Sequence, residues 1–269
     1  MGSLSDQSEP RYRRRAPAAA LLGLITGIYG YEERGDALQG VVETASLDVP
    51  LIINFGSSYR IGLGRSPNQN DRYGSFAAGL FAGPVVMDSD GDAQCIQVNF
   101  TPVGGRLFFA RPMNDLANCM VPLDDLSDPE IDEIAMRLAE LNSWDARLDL
   151  VERFVAARLA RADAIDPAIT WAVSALMRSG GQIRIGTIAD KLEWSRRRLV
   201  ERFREELGLP PKAIARIVRF NAARSMAESV SEPDWADIAA ACGYADQPHL
   251  VREFAELAGA SPTAWHQAA

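Results

Sequence analysis

The chain has 269 residues, 47% of them hydrophobic, a formal net charge of −8 and a pI of about 4.9. This length suggests two domains or one large one, and the acidic balance excludes a general affinity for polyanions. Three cysteines without a CxxC pair exclude a disulfide framework or a zinc site and favour a reducing compartment. Two histidines, His249 and His266, are too few for a metal centre built on several imidazoles. We therefore expect a cytoplasmic protein without a metal or another cofactor.

The first residues of the chain predict a tail and no membrane segment. Residues 1–15 are polar and arginine-rich, and they predict a disordered tail. The apolar stretch that follows, residues 16–31, is shorter than the ~20 residues of a membrane span and is interrupted by glycines. No small-x-small cleavage site follows it, so an export signal is disfavoured. No other stretch is apolar enough to cross a bilayer.

Residues 16 to about 125 have the pattern of a β-rich domain. Short runs with β-branched or aromatic residues, such as "VPLIINFG", "YRIGLG" and "CIQVNFT", alternate with turn-forming clusters such as "GRSPNQNDRYG" and "MDSDGDAQ". This spacing predicts a sandwich or a barrel, a cupin-like barrel included. From about residue 127 the period becomes helical, with Ser127 as the expected N-cap and Pro129 in the first turn. We assign residues 16–160 to one β-rich sensor or dimerisation domain with trailing linker helices.

Residues 161–269 predict a second, all-α domain that contains an internal repeat. The segment "LVERFREELGLPPKAI" (199–214) aligns with "LVREFAELAGASPTAW" (250–265) at an offset of 51, and "TIADKLE" (187–193) aligns with "DIAAACG" (237–243) at an offset of 50. Each copy is a short helix, a turn and a longer helix, which is the helix-turn-helix unit. The units span about 186–208 and 236–259, and a long helix (212–228) joins them. The predicted class is therefore α+β.

Positive charge is concentrated in the first unit. Residues 178–224 contain 12 basic and 5 acidic residues, whereas residues 225–269 contain 1 basic and 7 acidic ones. On a helical wheel, Leu199 and Phe203 share the apolar face, and Arg197, Arg198 and Glu201 point outward. The basic excess lies where a helix-turn-helix would approach DNA.

The C-terminal 100 residues resemble the DNA-binding domain of AraC-type transcription regulators. The resemblance rests on "IADKLEWSRRRLVERFREELGLPPKAIARIVRFNAAR" and on "DIAAACGYADQPHLVREFAELAGASPTAW". The preceding part is similar to the β-rich sensor-like domain of some of these regulators through "YEERGD", "LIINFG", "YRIG" and "PLDDL". The resemblance implies a sequence-specific DNA-binding regulator that is not an enzyme. It implies double-stranded DNA as a partner and leaves room for RNA polymerase, a small-molecule effector and a second copy of the chain.

The candidate DNA contacts of the first unit lie at the start of its second helix. Arginine can bind guanine bidentately or clamp a phosphate, and free N–H groups at a helix start suit phosphate. A solvated face, with arginines paired to Glu201, Glu205 and Glu206, is the competing interpretation. The acidic Glu201 stands where such regulators often have a basic residue, so it would accept from cytosine or repel phosphate. The candidates are Ser195, Arg196, Arg197, Arg198, Glu201 and Lys212.

The second unit has fewer basic side chains than the first, and the two units differ at one position of the turn. Its candidates are Gln247, Pro248, His249 and Arg252, with Asp246 as the expected N-cap. We expect it to read DNA less, or through shape and packing. In the first unit Glu193 occupies the turn position of Gly243, so a positive φ there would cost roughly 1–2 kcal/mol.

No enzyme signature emerges from the first domain. Both histidines lie in the far domain, so no Ser-His-Asp or Cys-His set forms, and the cupin-like metal site is missing. "TPVGGR" is not a dinucleotide motif and "GLGRSPNQN" lacks the ending of a phosphate-binding loop. We predict no catalytic residues. The alternative function is a small-molecule-binding or enzymatic β domain whose helical tail makes protein contacts.

Overall fold

The computed structural model describes residues 11–268, a β-rich part followed by a helical part. The strands are β1 (Arg11–Arg15), β2 (Ile25–Glu32), β3 (Val41–Glu43), β4 (Val49–Asn54), β5 (Tyr59–Leu63), β6 (Arg72–Tyr73), β7 (Phe76–Ala78), β8 (Val85–Asp88), β9 (Gln94–Phe100) and β10 (Met120–Pro122). The helices are α1 (Pro102–Phe109), α2 (Leu123–Leu126), α3 (Pro129–Glu140), α4 (Trp144–Ala160), α5 (Pro167–Arg178), α6 (Ile185–Lys191), α7 (Arg196–Leu207), α8 (Pro211–Glu228), α9 (Trp235–Ala241), α10 (Gln247–Ala258) and α11 (Pro262–Ala268).

The strands form two antiparallel sheets, which confirms the predicted β-rich domain and the α+β class. One sheet has six strands in the order β1-β2-β9-β4-β7-β10, and the other has four in the order β3-β8-β5-β6. Side chains alternate between the faces of each strand. In β5, Tyr59 and Ile61 are buried between the sheets, whereas Arg60 points away and pairs with Asp88 and Asp90. The architecture is a sandwich.

The predicted disordered tail is wrong for residues 11–15, because these residues form β1 and pair with β2. Residues 1–10 lie outside the described part of the chain. Two of the arginines that suggested a disordered tail have acidic partners distant in sequence. Arg13 pairs with Glu32, and Arg15 pairs with Asp149 and Glu152 of α4. Local composition carries no information about such partners.

Helices α3 and α4 follow the sandwich, as predicted, but α3 has a different cap. Ser127 adopts a left-handed conformation with φ of 53°, and the carboxylate of Asp128 accepts from the N–H groups of Glu130 and Ile131. Arg158 of α4 binds this carboxylate and donates to the carbonyl of Phe108 in α1. Burial alone would raise the pKa of Asp128, but the hydrogen bonds from Arg158 outweigh it and lower this pKa. The linker helices are thereby fixed to the sandwich.

One apolar core runs through the sandwich, the linker helices and the helical part. Buried side chains of the two helix-turn-helix units belong to it, among them Leu199 and Phe203 of the predicted apolar face, and Leu192 and Trp265 pack against it half-buried. The predicted domain boundary after residue 160 falls in the connection between α4 and α5. Buried members from the two units and the helix between them include Ile188, Ala189, Leu199, Phe203, Ile217, Ile238, Ala239, Leu250 and Phe254.

The C-terminal ends of α7 and α10 both rest on the N-terminal part. Each helix ends at a glycine with positive φ, Gly208 at 86° and Gly259 at 77°. A Cβ on Gly208 would lie 2.9 Å from the Ala117 Cβ, and a Cβ on Gly259 would lie 3.3 Å from Pro84. In the same region the N–H of Ala45 donates to the carbonyl of Leu257 at 2.8 Å. The two helices are thus held at one end by the same domain.

We predict that Gly208→Ala lowers the free energy of unfolding by about 2–4 kcal/mol, because it combines the cost of a positive φ with overpacking against Ala117. Gly180→Ala is the matched control, since Gly180 has φ of 58° and a Cβ there would meet only the Gln182 side chain, at 3.9 Å. The control is expected to lose only about 1–2 kcal/mol. Urea denaturation of both variants measures the difference, and equal losses would contradict tight packing at Gly208.

Candidate nucleic-acid interface

The two helix-turn-helix units have the same turn geometry, which explains the sequence repeat. In the first unit the N–H of Trp194 donates to the carbonyl of Ala189 at 3.0 Å, and in the second unit Tyr244 donates to Ala239 at 2.9 Å. Pro211 and Pro262 each begin the helix that follows. The extra residue of the second copy, Ala245, lies just before its longer helix. Two similar elements therefore stand on one chain.

The departure at Glu193 is a strained backbone position. Glu193 has φ of 53° where the second unit has Gly243 with φ of 74°. The turn thus needs a left-handed residue, as the sequence comparison anticipated. A residue with a Cβ is destabilised there by roughly 1–2 kcal/mol.

Helix α7 presents an exposed, basic N-terminal end. The hydroxyl of Ser195 caps it by accepting from the N–H of Arg198 at 3.1 Å. Arg196, Arg197 and Arg198 are all exposed. The guanidinium of Arg198 stacks over the Trp194 ring, 4.6 Å from its centroid, which limits the positions that its head can reach.

Glu201 pairs with Arg197 inside the same helix. The Nε of Arg197 donates to Glu201 Oε1 at 2.8 Å, although 88% of the Arg197 side chain is exposed. This pair is what the solvated-face interpretation expects. It also leaves the two terminal nitrogens of Arg197 without a partner among the described residues, and a bidentate contact needs an accessible pair of N–H donors.

Part of the basic excess is neutralised within the protein. Arg202 donates to the buried Glu206 at 2.6 Å, and Glu206 also accepts from Arg106 of α1 at 2.7 Å. Arg216 and Arg219 of α8, the helix that joins the two units, both bind the buried Glu253 of α10. These arginines fix helices to one another. Lys212, by contrast, is exposed at the start of α8, and no hydrogen bond or ion pair of its head is found within residues 11–268.

The second unit exposes a more mixed set of side chains. Asp246 caps α10 by accepting from the N–H of His249 at 2.7 Å, and Gln247, Pro248 and Arg252 are exposed. The Nδ1 of His249 accepts from the N–H of Ala245 at 3.3 Å. Its ring packs edge-on against Tyr244, so His249 is largely committed to holding the turn.

A cavity of about 340 Å³ lies between the two sheets. Sequence analysis missed it, because its wall combines side chains from most of the strands. Four tyrosines and two carboxylates contribute to the wall: Tyr12, Tyr29, Tyr31, Tyr59, Glu43 and Asp48. The only sequence signal for this cavity was the alternation of residues between the two faces of single strands. Within residues 11–268, no group of three or more side chains is arranged to hold a metal ion.

The comparisons with known proteins identify the C-terminal part. Residues 188–268 match the family described as "Helix-turn-helix domain". This part of the chain is therefore a helix-turn-helix domain, as predicted. A search of curated proteins found no match. No helix in the described range is both long and apolar enough to cross a membrane.

One similar solved structure is ToxT from Vibrio cholerae bound to an unsaturated fatty acid. The two sequences are 11% identical, the match covers 90% of this chain and 96% of ToxT, and the TM-score is 0.48. A second ToxT structure shows 12% identity, coverage of 97% and 98%, and a TM-score of 0.45. The C-terminal domain of AraT, a response regulator from Geobacillus stearothermophilus, shows 21% identity, coverage of 40% and 89%, and a TM-score of 0.37.

We predict that Glu193→Gly raises the free energy of unfolding by about 0.5–1 kcal/mol. Relief of the left-handed strain, roughly 1–2 kcal/mol, is partly offset by the greater backbone entropy that glycine loses on folding, about 0.5–1 kcal/mol. Glu193→Ala keeps the Cβ and should not stabilise the protein. Chemical denaturation of the two variants distinguishes backbone relief from the removal of a charge.

Proposed function

We propose that this chain is a sequence-specific DNA-binding transcription regulator whose N-terminal sandwich controls the C-terminal domain. The observation that carries the proposal is the arrangement of α7 and α10. Each is docked at its C-terminal end, and each leaves its N-terminal end accessible. In helix-turn-helix proteins, the N-terminal residues of the second helix contact base edges in the major groove.

In the first unit, Arg197 and Arg198 are the proposed base-reading residues. The Arg197–Glu201 pair supports this role, because Glu201 binds the Nε and leaves the exposed terminal nitrogens available to a ligand. Such a fork matches the O6 and N7 acceptors of guanine. Arg196, Lys212 and the capped helix start near Ser195 are proposed to bind the DNA backbone, which positions the helix without reading sequence.

In the second unit, Gln247 and Arg252 are the proposed contacts. A glutamine can bind adenine bidentately, and an arginine can bind guanine or phosphate. Pro248 supports the start of α10, and His249 holds the turn. With one exposed arginine at this end, the second unit would contribute less electrostatic affinity than the first.

Control by the sandwich is supported by a direct physical connection. The segment between β3 and β4 lines the cavity and also contacts the DNA-binding domain. Arg224 of α8 donates to the Thr44 hydroxyl at 2.7 Å, and Ala45 donates to Leu257 of α10. A ligand that binds one position of this segment better than another would shift the population of docked states. RNA polymerase and a second copy of the chain remain predicted partners, and we propose no enzymatic activity.

The proposal predicts salt-dependent binding of the full chain to a DNA fragment obtained by selection from a random pool. Each neutralised phosphate adds about 0.9 to the slope of log K against log salt. Arg197→Ala should cost about 1–3 kcal/mol in binding and relax the preference at one base pair. Fluorescence anisotropy at several salt concentrations measures both effects.

The matched control is Arg137→Ala, which removes the same charge from the exposed surface of α3. It should leave both affinity and preference close to those of the parent chain. A uniform loss across all sequences in Arg197→Ala would make Arg197 a phosphate contact instead of a base contact. Absence of salt-sensitive binding in the parent chain would favour the alternative, a small-molecule-binding or enzymatic β domain with a helical tail for protein contacts.

A further inference from the structure

The cavity between the sheets has the size of a ligand site. Its volume of about 340 Å³ lies within the range of small-molecule pockets, about 300–1,000 Å³. Both sheets and the β3–β4 segment form its wall, and much of that wall is apolar, with Ile52, Ile61 and Phe76 among its members. The cavity therefore suits a ligand with a hydrophobic body.

Aromatic rings surround this space on several sides. Tyr29 and Tyr31 come from β2, Tyr59 comes from β5, and Phe81 follows β7. The ring of Tyr12 lies 4.9 Å from that of Tyr31. The faces of aromatic rings are electronegative and attract organic cations, most strongly when water is excluded.

The charges on the cavity wall are negative. Glu43 and Asp48 line it, and no lysine or arginine of the described chain does so. The arginines of the neighbouring strands point elsewhere: Arg60 pairs with Asp88 and Asp90, and Arg13 stacks on Trp144. An anionic ligand would meet two carboxylates and no cation on the wall.

Glu43 is the carboxylate that lacks a partner. Within residues 11–268, no hydrogen bond or ion pair of its side chain is found, and this exposed residue contributes to the cavity wall. Asp48 differs, since it accepts from the hydroxyl of Thr26 at 2.8 Å and from the amide of Asn99 at 3.4 Å. Glu43 is therefore the free acceptor that a cationic ligand would engage.

The environment of Glu43 also favours a positive ligand. Glu43 is exposed, yet the protein packed around its carboxylate raises its pKa by desolvation, and the negative charge of Asp48 raises it further. The nearest arginine of the helical domain, Arg224, is hydrogen-bonded to Thr44 and paired with Glu228 at 3.5 Å. A cation in the cavity would stabilise the ionised form of Glu43, which no protein cation on the wall does.

We propose that this cavity binds a hydrophobic organic cation, an amine or quaternary ammonium with an aromatic body, and that Glu43 is its counter-ion. This inference names the class of ligand that the proposed regulator binds. It rests on the proposed regulatory function only in treating that ligand as an effector. Glu43 lies directly before Thr44 and Ala45, which contact α8 and α10. A ligand that draws Glu43 into the cavity would act on those two contacts.

Three naphthalene compounds with different charges test the proposal on the full chain. They are (1-naphthylmethyl)trimethylammonium, 1-naphthalenemethanol and 1-naphthoate, titrated by calorimetry in the absence of DNA. The cation should bind about tenfold more tightly than the alcohol, or better, because ring and carboxylate contacts add to hydrophobic burial. The anion should bind more weakly than the alcohol.

Variants of Glu43 identify the counter-ion. Glu43→Gln should weaken binding of the cation about tenfold and leave binding of the alcohol within about twofold. Glu43→Lys, at a position with accessible surface, should reverse the order so that 1-naphthoate binds better than the cation. Glu140→Gln, an exposed carboxylate on α3, is the matched control and should bind like the parent chain.

Equal affinity for all three compounds, tightest binding of the anion, or a cation preference that survives Glu43→Lys would overturn the proposal. Thermal unfolding of each variant verifies that the fold persists. Because DNA takes no part in these titrations, a failure here leaves the DNA-binding proposal intact, and a failure of DNA binding leaves the ligand proposal intact.

Discussion

The docking of α7 and α10 onto the sandwich is the constraint on which the rest of the structure depends. Gly208 ends α7 against Met113 and Ala117, and the Leu257 carbonyl near the end of α10 accepts from Ala45. Both contacts use the C-terminal end of a helix. The exposed N-terminal ends, where backbone N–H groups and side-chain cations are available to an anion, are a consequence of this docking. A change at either contact would therefore reach the exposed N-terminal ends of these helices without touching them.

Internal ion pairs reconcile the acidic composition with a basic interface. Glu206 and Glu253 are buried, and each joins two arginines: Arg202 and Arg106 in the first case, Arg216 and Arg219 in the second. Removing one partner from such a group leaves an uncompensated buried charge, which is strongly destabilising. These carboxylates therefore hold the helices together and also withdraw some arginines from DNA binding. The exposed arginines at the start of α7, together with Lys212 and Arg252, are among the cations that remain available.

Local signals explain what could be predicted from the sequence. The cap at Asp246 and the repeat of the two units depend on residues close in the chain. The left-handed turn at Glu193 followed from comparing the two copies. The DNA-contacting roles of the candidate residues stay predictions, and the structure adds only their exposure and their internal partners.

Long-range pairing explains what could not be predicted. Strand β1 pairs with β2 and its Arg15 contacts α4, and the cavity requires both sheets to face each other. The acidic partners of Arg216 and Arg219 lie more than thirty residues away. For α3, the sequence prediction placed the cap at Ser127, whereas the structure places it at Asp128 and gives Ser127 a left-handed backbone. In each case the missing information was a distance between residues remote in sequence or a backbone angle.

The most direct test of the account is a hydroxyl-radical footprint of the full chain on a selected DNA fragment. If one chain places two helix-turn-helix units on a single support, two protected patches should appear on one face of the duplex. Their centres should lie about 10 base pairs apart, one helical turn, at a stoichiometry of one chain per site. A single protected patch, or two patches that require two chains, would contradict the account.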